Sequence, residues 1–311
     1  MSQLSSGVVA SSDKLHFRAG MGVRCSVHKF SKGSVLLILE QAVDRLKSNL
    51  KALASITKYP TLDEVTLVGQ VLSGSESGVM IDVGACHGAT TLPFAVRGWA
   101  VHAFEPDSEN REILEAKVKG LAGVTVQPKA VSDVPGMLTL YRSPESVGIS
   151  SLTAFTDTHR AAETVEVVTL TDYMTAEGIS HVDFLKIDVE GFEREVLGGF
   201  PWDYCLPKVV VLEFEDAKTV PRGYSWTDLA EALVGHGYRV LVSEWELIVR
   251  YGTAHKWVGF RRYPAQLSDP GGWGNLIAVR PELDDRMSRV AEKAERRFRL
   301  KQKLSAIVSR I

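Results

Sequence analysis

The 311-residue sequence predicts an α/β fold with a largely parallel seven-stranded sheet and helices on both of its faces. Three observations lead to it. Short apolar runs alternate with stretches of helical periodicity from Val79 onward. The first of these runs ends in a glycine turn that opens a helix, the junction expected inside a βαβ unit. The composition, 45% hydrophobic and 24% charged, is that of a chain able to bury a large core.

The elements follow in order. Residues 1 to about 30 are rich in Ser and Gly without sustained periodicity and read as a loosely ordered arm. Val35, Leu39, Ala42, Leu46 and Leu53 recur at helical spacing, with Glu40, Asp44, Arg45 and Lys47 opposite them. A second helix is predicted near Thr61, where Thr61 and Glu64 have the spacing of a capping box. Strands are expected at 79–83, 100–104, 124–127, 183–187, 209–214, 239–242 and 276–279, with helices at 89–97 and 108–119. The Ser/Thr-rich stretch between Val131 and Thr169 has mixed β character and reads as an extra hairpin over the pocket. The tail from Leu283 reads as a long amphipathic helix, with Met287, Val290, Ala294 and Phe298 as its apolar stripe among basic residues. The resulting division is an arm with a helical cap at 1–75, a main domain at 76–282 and the C-terminal helix at 283–311.

Charge and cysteine usage narrow the function. A formal net charge of −2 argues against a nucleic-acid substrate. Cys25, Cys86 and Cys205 are odd in number and far apart, which argues against a disulfide framework or structural zinc and for a reducing, cytoplasmic setting. The N-terminus does not read as a signal peptide, and no apolar run is long enough for a transmembrane segment. The basic C-terminal helix is expected to dock on its own domain or a partner, either in a homodimer or on a glycosyltransferase. Peripheral membrane contact is the other use of such a helix.

The cofactor constellation begins with VMIDVGACHG. A strand ends at Asp82–Val83, the turn carries Gly84, Ala85, His87 and Gly88, and a helix follows. The turn is not G-x-G-x-x-G, and an acid stands two residues before its first glycine. A dinucleotide pyrophosphate would be repelled by that carboxylate, whereas a helix N-terminus normally cradles it. S-adenosylmethionine carries an ammonium and a sulfonium instead, which Asp82 favours. HAFEPD places Glu105 at the end of the second strand, about 20 residues further on, where an acid can accept hydrogen bonds from a ribose diol. The third strand leads into QPKAVSD, so Ala130 and Val131 are candidates for the floor under the adenine.

The blocks IDVGACHGATTLPFA, VHAFEPDSEN, AVSD and FLKIDVEGFEREVLGGF resemble the FkbM family of methyltransferases, from about Val79 to Glu215. The resemblance implies a class I methyltransferase Rossmann-like fold, S-adenosyl-L-methionine as donor and O-methylation as the usual chemistry. Cys86 and His87 stand where many relatives have an Asn-containing turn. HKWVGFRRYP and GWGNLIAVRP resemble members associated with glycosyltransferases and surface-polysaccharide synthesis, which points to a sugar acceptor.

Lys186, Asp188 and Glu190 alternate at the end of the fourth strand, so they share a face while the strand continues. Asp188 is expected beside the donor methyl, as a cofactor contact and as the leading candidate for the base that takes a hydroxyl proton. Glu213 is next, then Glu190; His255 is a further candidate because imidazole is a common general base. A structural ion pair of Lys186 with a neighbouring acid is the competing reading of this run. Asp188 and Glu213 could also hold magnesium, but no third ligand is evident in the sequence and no metal is expected. Trp245, His255, Trp257, Arg261, Arg262, Tyr263 and Trp273 are candidates for acceptor recognition. The expected function is therefore O-methylation of a hydroxylated small-molecule or glycan acceptor, foremost a sugar hydroxyl of a polysaccharide, glycolipid or nucleotide-sugar precursor, with a polyketide-type acceptor or an inert scaffold as the alternatives.

Overall fold

A computed structural model describes residues 62–74 and 77–308. The arm and the helix expected over Val35–Leu53 lie outside them. Contacts divide the chain into two units, residues 59–301 and residues 1–58 with 302–311. Of the second unit only 302–308, the end of the C-terminal helix, is described. Among the described residues no helix is long and apolar enough to cross a membrane.

The chain enters the main unit through α1 (Glu64–Val71), capped by Asp63, whose carboxylate accepts from the Thr66 N–H at 3.1 Å. The Glu64 carboxylate accepts from Ser243 and Trp245, and Thr61, the other member of the expected capping box, lies outside the described residues. β1 (Val79–Val83), α2 (Thr91–Ala95), β2 (Ala100–Phe104), α3 (Ser108–Val118) and β3 (Val124–Gln127) follow as predicted. β4 (Ala130–Val131), β5 (Gly136–Arg142) and β6 (Arg160–Val168) form a separate three-stranded sheet from the Ser/Thr-rich stretch. Then come α4 (Leu170–Ala176), β7 (Phe184–Ile187), α5 (Glu193–Gly198), β8 (Val209–Glu215), α6 (Asp216–Thr219) and α7 (Trp226–Gly235). β9 (Arg239–Trp245), β10 (Trp257–Arg262), β11 (Trp273–Val279) and α8 (Asp284–Val308) complete the described chain.

The main sheet has eight strands in the order β3-β2-β1-β7-β8-β11-β9-β10. The first five are parallel, and β11, β9 and β10 pair antiparallel beyond them. β10 is the strand added to the expected seven. It lies at the sheet edge, where Arg261 and Arg262 can keep their charges in reach of solvent, and those charges hide it from apolar periodicity.

Alternation along the strands sorts the core into two layers. Ile81, Leu185, Ile187, Val210 and Leu212 face α4, α5 and α7. Met80, Phe184, Val209 and Val211 face the other way, where Leu67 and Val68 of α1, Phe94 of α2, Leu114 of α3 and Met287 and Ala291 of α8 cover them. The same period of two puts Asp82, Lys186 and Asp188, with Glu213 and Glu215, on the α1 side at the carboxyl ends of three adjacent strands. That edge is where open α/β sheets bind their ligands.

Candidate active site

The turn after β1 needs glycine for a stated reason. Gly84 has φ +81°, and a Cβ there would sit 1.8 Å from the carbonyl oxygen of Asp188. Only a residue without a side chain lets the turn pass this close to the end of β7. The Gly84 and Ala85 N–H groups both donate to the Phe104 carbonyl at 3.0 Å. The Cys86 N–H donates to Glu105 Oε2 at 2.7 Å, and the Asp107 N–H to Glu105 Oε1 at 2.9 Å. The Glu105 carboxylate is thus fixed by two backbone donors, with lone pairs left for a ligand.

A cavity of about 530 Å³ opens over this turn. Gly84, Glu105, Ala130, Val131 and Asp188, drawn from four separate segments, all line it. Asp82, Ala85, His87 and Gly88 do not. His87 bonds Asn110 Oδ1 at 3.0 Å, and Gly88 (φ +80°) serves the packing of the turn on Leu114. Asp82 lies beneath the turn, 1% exposed, and accepts from Thr91 Oγ1 at 2.6 Å. Its Oδ1 has no partner among the described residues. The opposite wall, from Val147 to Leu152, comes from the Ser/Thr-rich stretch expected over the pocket, though none of its residues was singled out in the sequence. This wall is pinned to the start of α3: Ser150 donates to the Asp107 carboxylate at 2.8 Å, which Arg142 at the end of β5 also grips at 2.7 and 2.9 Å.

Asp188 ends β7 at the mouth of this cavity and pairs with Lys186 at 3.0 Å. Glu190 (φ +59°) turns back to Lys218, its carbonyl held by Ser151 Oγ at 2.7 Å. Lys218 is the member that sequence reasoning overlooked, because nothing around it in KTVPRG marks it. Its ammonium is 4% exposed and meets Glu190, Glu213 at 3.5 Å and Glu215 at 2.6 Å. The rings of Phe155 and Tyr251 lie 5.3 and 5.6 Å from it. Removing an ammonium from among buried carboxylates typically costs about 3–5 kcal/mol, so Lys218 holds this cluster together.

The environments of these acids differ. Burial pushes Asp82 up to about 6 and Glu105 up to about 7. Burial also raises Glu190 to about 7, against the pull of Lys218. Glu213 is raised well above the usual carboxylate range by burial and then by the charge of Asp188. Asp188 goes the other way: its burial is outweighed by the Lys186 ammonium and by hydrogen bonds from Lys186 and Glu213, which keep it ionised. Asp188 and Glu213 therefore titrate as a pair, Asp188 being the member held ionised and Glu213 the member with the raised proton affinity.

A second cavity, of about 680 Å³, lies on the α1 side and is lined by Lys186, Asp188, Glu213, Trp245, Trp273 and Asn275 among others. The remaining acceptor candidates are engaged elsewhere. Trp257 is buried against Phe260 and Phe298, Arg261 is held by Glu244, and Arg262 by Asp284. Tyr263 packs on Trp226. His255 meets the edge of the Trp273 ring and lines neither cavity.

A parallel sheet with an antiparallel end, a glycine turn after the first strand and acids closing the first, second and fourth parallel strands of the chain define a class I methyltransferase. The profile of the methyltransferase FkbM domain matches residues 82–240. The chain belongs to the FkbM methyltransferase family. Among curated proteins the sequence has no match. Similar solved structures include methyltransferase FkbM from Methylobacillus flagellatus KT, at 16% identity and TM-score 0.40, over 67% of this chain and 45% of that one. Precorrin-6y C5,15-methyltransferase from Geobacter metallireducens GS-15 aligns at 13% identity and TM-score 0.38, over 70% and 87%. Magnesium protoporphyrin IX methyltransferase from Synechocystis PCC 6803, solved with bound S-adenosylmethionine, aligns at 13% identity and TM-score 0.36, over 75% and 79%.

Proposed function

We propose that this methyltransferase uses S-adenosylmethionine to methylate a sugar hydroxyl of a polysaccharide, glycolipid or nucleotide-sugar precursor. The observation that carries the reading is the convergence of Gly84, Glu105, Ala130, Val131 and Asp188 on one cavity that adjoins a second at Asp188. The residues fit the donor. Glu105, fixed by two backbone N–H groups, lines the cavity with lone pairs left for a ligand, and Asp188 lines it as an acid that Lys186 keeps ionised. Acidic strand ends suit a cationic ligand and oppose a pyrophosphate.

Bound S-adenosylmethionine supplies an electrophilic methyl group on a sulfonium. Glu105 accepts from the ribose diol, and Ala130 and Val131 floor the adenine side. Asp188, kept ionised by Lys186, would place a fixed negative charge against the cationic end of the donor. Glu213, with its higher proton affinity, is the better proton acceptor of the pair, and it lines the second cavity. The electrostatics thus divide the two roles that the sequence placed together on Asp188.

Calorimetric titration with S-adenosylhomocysteine tests the reading. Micromolar binding is expected for the wild type, weakened at least about 100-fold in Glu105→Ala by loss of a charge-assisted pair of hydrogen bonds. No binding by the wild type overturns it. Metal dependence is tested separately. Asp188, Glu190 and Glu213 bring ligand atoms within 4.8 Å of one another, so Glu190 stands where the third ligand absent from the sequence reading would have to be. Lys186 and Lys218 already pair with the carboxylates of that cluster. Methyl transfer is therefore expected to survive EDTA at full rate; loss on chelation, restored by magnesium, would assign these carboxylates to a metal.

A further inference from the structure

We infer that the second cavity is the acceptor subsite and that it takes an uncharged ring carrying several hydroxyls, one neutral saccharide unit. The inference rests on the methyltransferase reading above, and deepens it by locating the acceptor and choosing its chemistry. Asp188 is the single residue among those described that lines both cavities, so a group held in the second one reaches the first at the place where the sheet's fixed charge sits. The lining follows from strand register. Glu213 of β8 pairs with Asn275 of β11, and Trp273 pairs with both Glu215 of β8 and Trp245 of β9. Asp188, Glu213 and Asn275 therefore stand side by side, with two indoles beyond them.

The chemistry of this lining is mixed in a particular way. The rings of Trp245 and Trp273 stack at 5.6 Å and 30°, an aromatic wall suited to the C–H face of a pyranose. Their N–H groups are not equivalent. That of Trp245 donates to Glu64 Oε1 at 3.0 Å, an oxygen also bonded by Ser243 at 2.7 Å. That of Trp273 is buried and has no acceptor among the described residues. A buried donor without a partner is uncommon in native proteins and points to a ligand oxygen. Asn275 offers both a donor and an acceptor, and Glu64 and Glu213 offer acceptors, which is the complement of a set of hydroxyls. An all-carbon acceptor would leave these groups unpaired. A phosphate or carboxylate on the ring would face Glu64, Asp188 and Glu213, with Lys186 as the one lining cation among the described residues, itself paired to Asp188.

The test uses the full-length protein saturated with S-adenosylhomocysteine and a panel of neutral methyl hexopyranosides and hexose 1-phosphates, observed by saturation-transfer NMR. At least one neutral glycoside is expected to bind, more tightly than its phosphorylated counterpart. Trp273→Phe, which keeps a ring and removes the N–H, and Asn275→Ala should each weaken that glycoside by about tenfold, with the S-adenosylhomocysteine Kd unchanged within twofold. Binding of no neutral glycoside, or tighter binding of the phosphates, overturns the inference. So does a pair of variants that lose S-adenosylhomocysteine while keeping the glycoside, since the cavity would then belong to the cofactor. Failure of the wild type to bind S-adenosylhomocysteine would instead remove the underlying reading.

Discussion

Glu213→Gln is expected to lower turnover by about a thousandfold while leaving S-adenosylhomocysteine affinity within a few-fold of wild type, the scale of losing a positioned general base. The argument is electrostatic. Glu213 lies beside Asp188, and burial together with that neighbouring charge raises its pKa well above the ordinary carboxylate range. A carboxylate with raised proton affinity is the better acceptor for a hydroxyl proton as the oxygen bonds to the methyl carbon and the sulfur–carbon bond breaks. The sign of the pH dependence follows. The base acts only when deprotonated, so the wild-type rate climbs as pH rises through the elevated Glu213 pKa, and the active fraction falls below it. Glutamine keeps the shape and removes the titration, so this limb should be absent from the residual activity of the variant. A variant with wild-type turnover, or with the same limb, would move the base to Asp188 or Glu190.

The second large effect is expected at Gly84. Gly84→Ala forces a Cβ to 1.8 Å from the Asp188 carbonyl oxygen in a residue at φ +81°. Left-handed backbone costs alanine about 1–2 kcal/mol, and overpacking adds about 1–3 kcal/mol. The only relief is to part the β1 turn from the end of β7, which dismantles the wall between Gly84 and Asp188. Lost S-adenosylhomocysteine binding and a lowered melting temperature are expected together. Gly98 provides the control, because it has the same φ of +81° and no described atom within 4 Å of where a Cβ would stand. Gly98→Ala should carry the backbone cost alone and bind normally. Equal behaviour of the two variants would show that the close approach at Gly84 is not what shapes the site.

How much of this was legible beforehand depends on the kind of signal. The turn at Gly84, the acid at Glu105 and the pair Ala130–Val131 were readable because each sits at a fixed offset from a strand end. Asp82 was readable as an acid in the right place but not as a buried one: its distance from the cavity depends on which face of β1 it occupies and on Thr91. Glu190 entered as a candidate base and emerged as a partner of Lys218, a lysine 28 residues away that carries no motif. Of the acceptor candidates only Trp245 and Trp273 line the second cavity, and Asn275 joins them unannounced. Aromatic and basic residue types alone do not distinguish a lining indole from Trp257, packed between Phe260 and Phe298.

The alternation of strands and helices, the face that each strand residue occupies and the glycine turn with its attendant acids were all fixed locally along the chain. They are written in a period of two, a period of 3.6 and the backbone freedom of glycine. Which strands become neighbours was settled only by packing in three dimensions. β11 inserts between β8 and β9, and that crossover sets Asn275 beside Glu213 and Trp273 beside Trp245. Packing also settled where Lys218 places its charge, and so how the proton affinities of the acids around it diverge. Both are non-local, because an interaction between side chains depends on the distance between them in space, and periodicity along the chain carries no information about that distance.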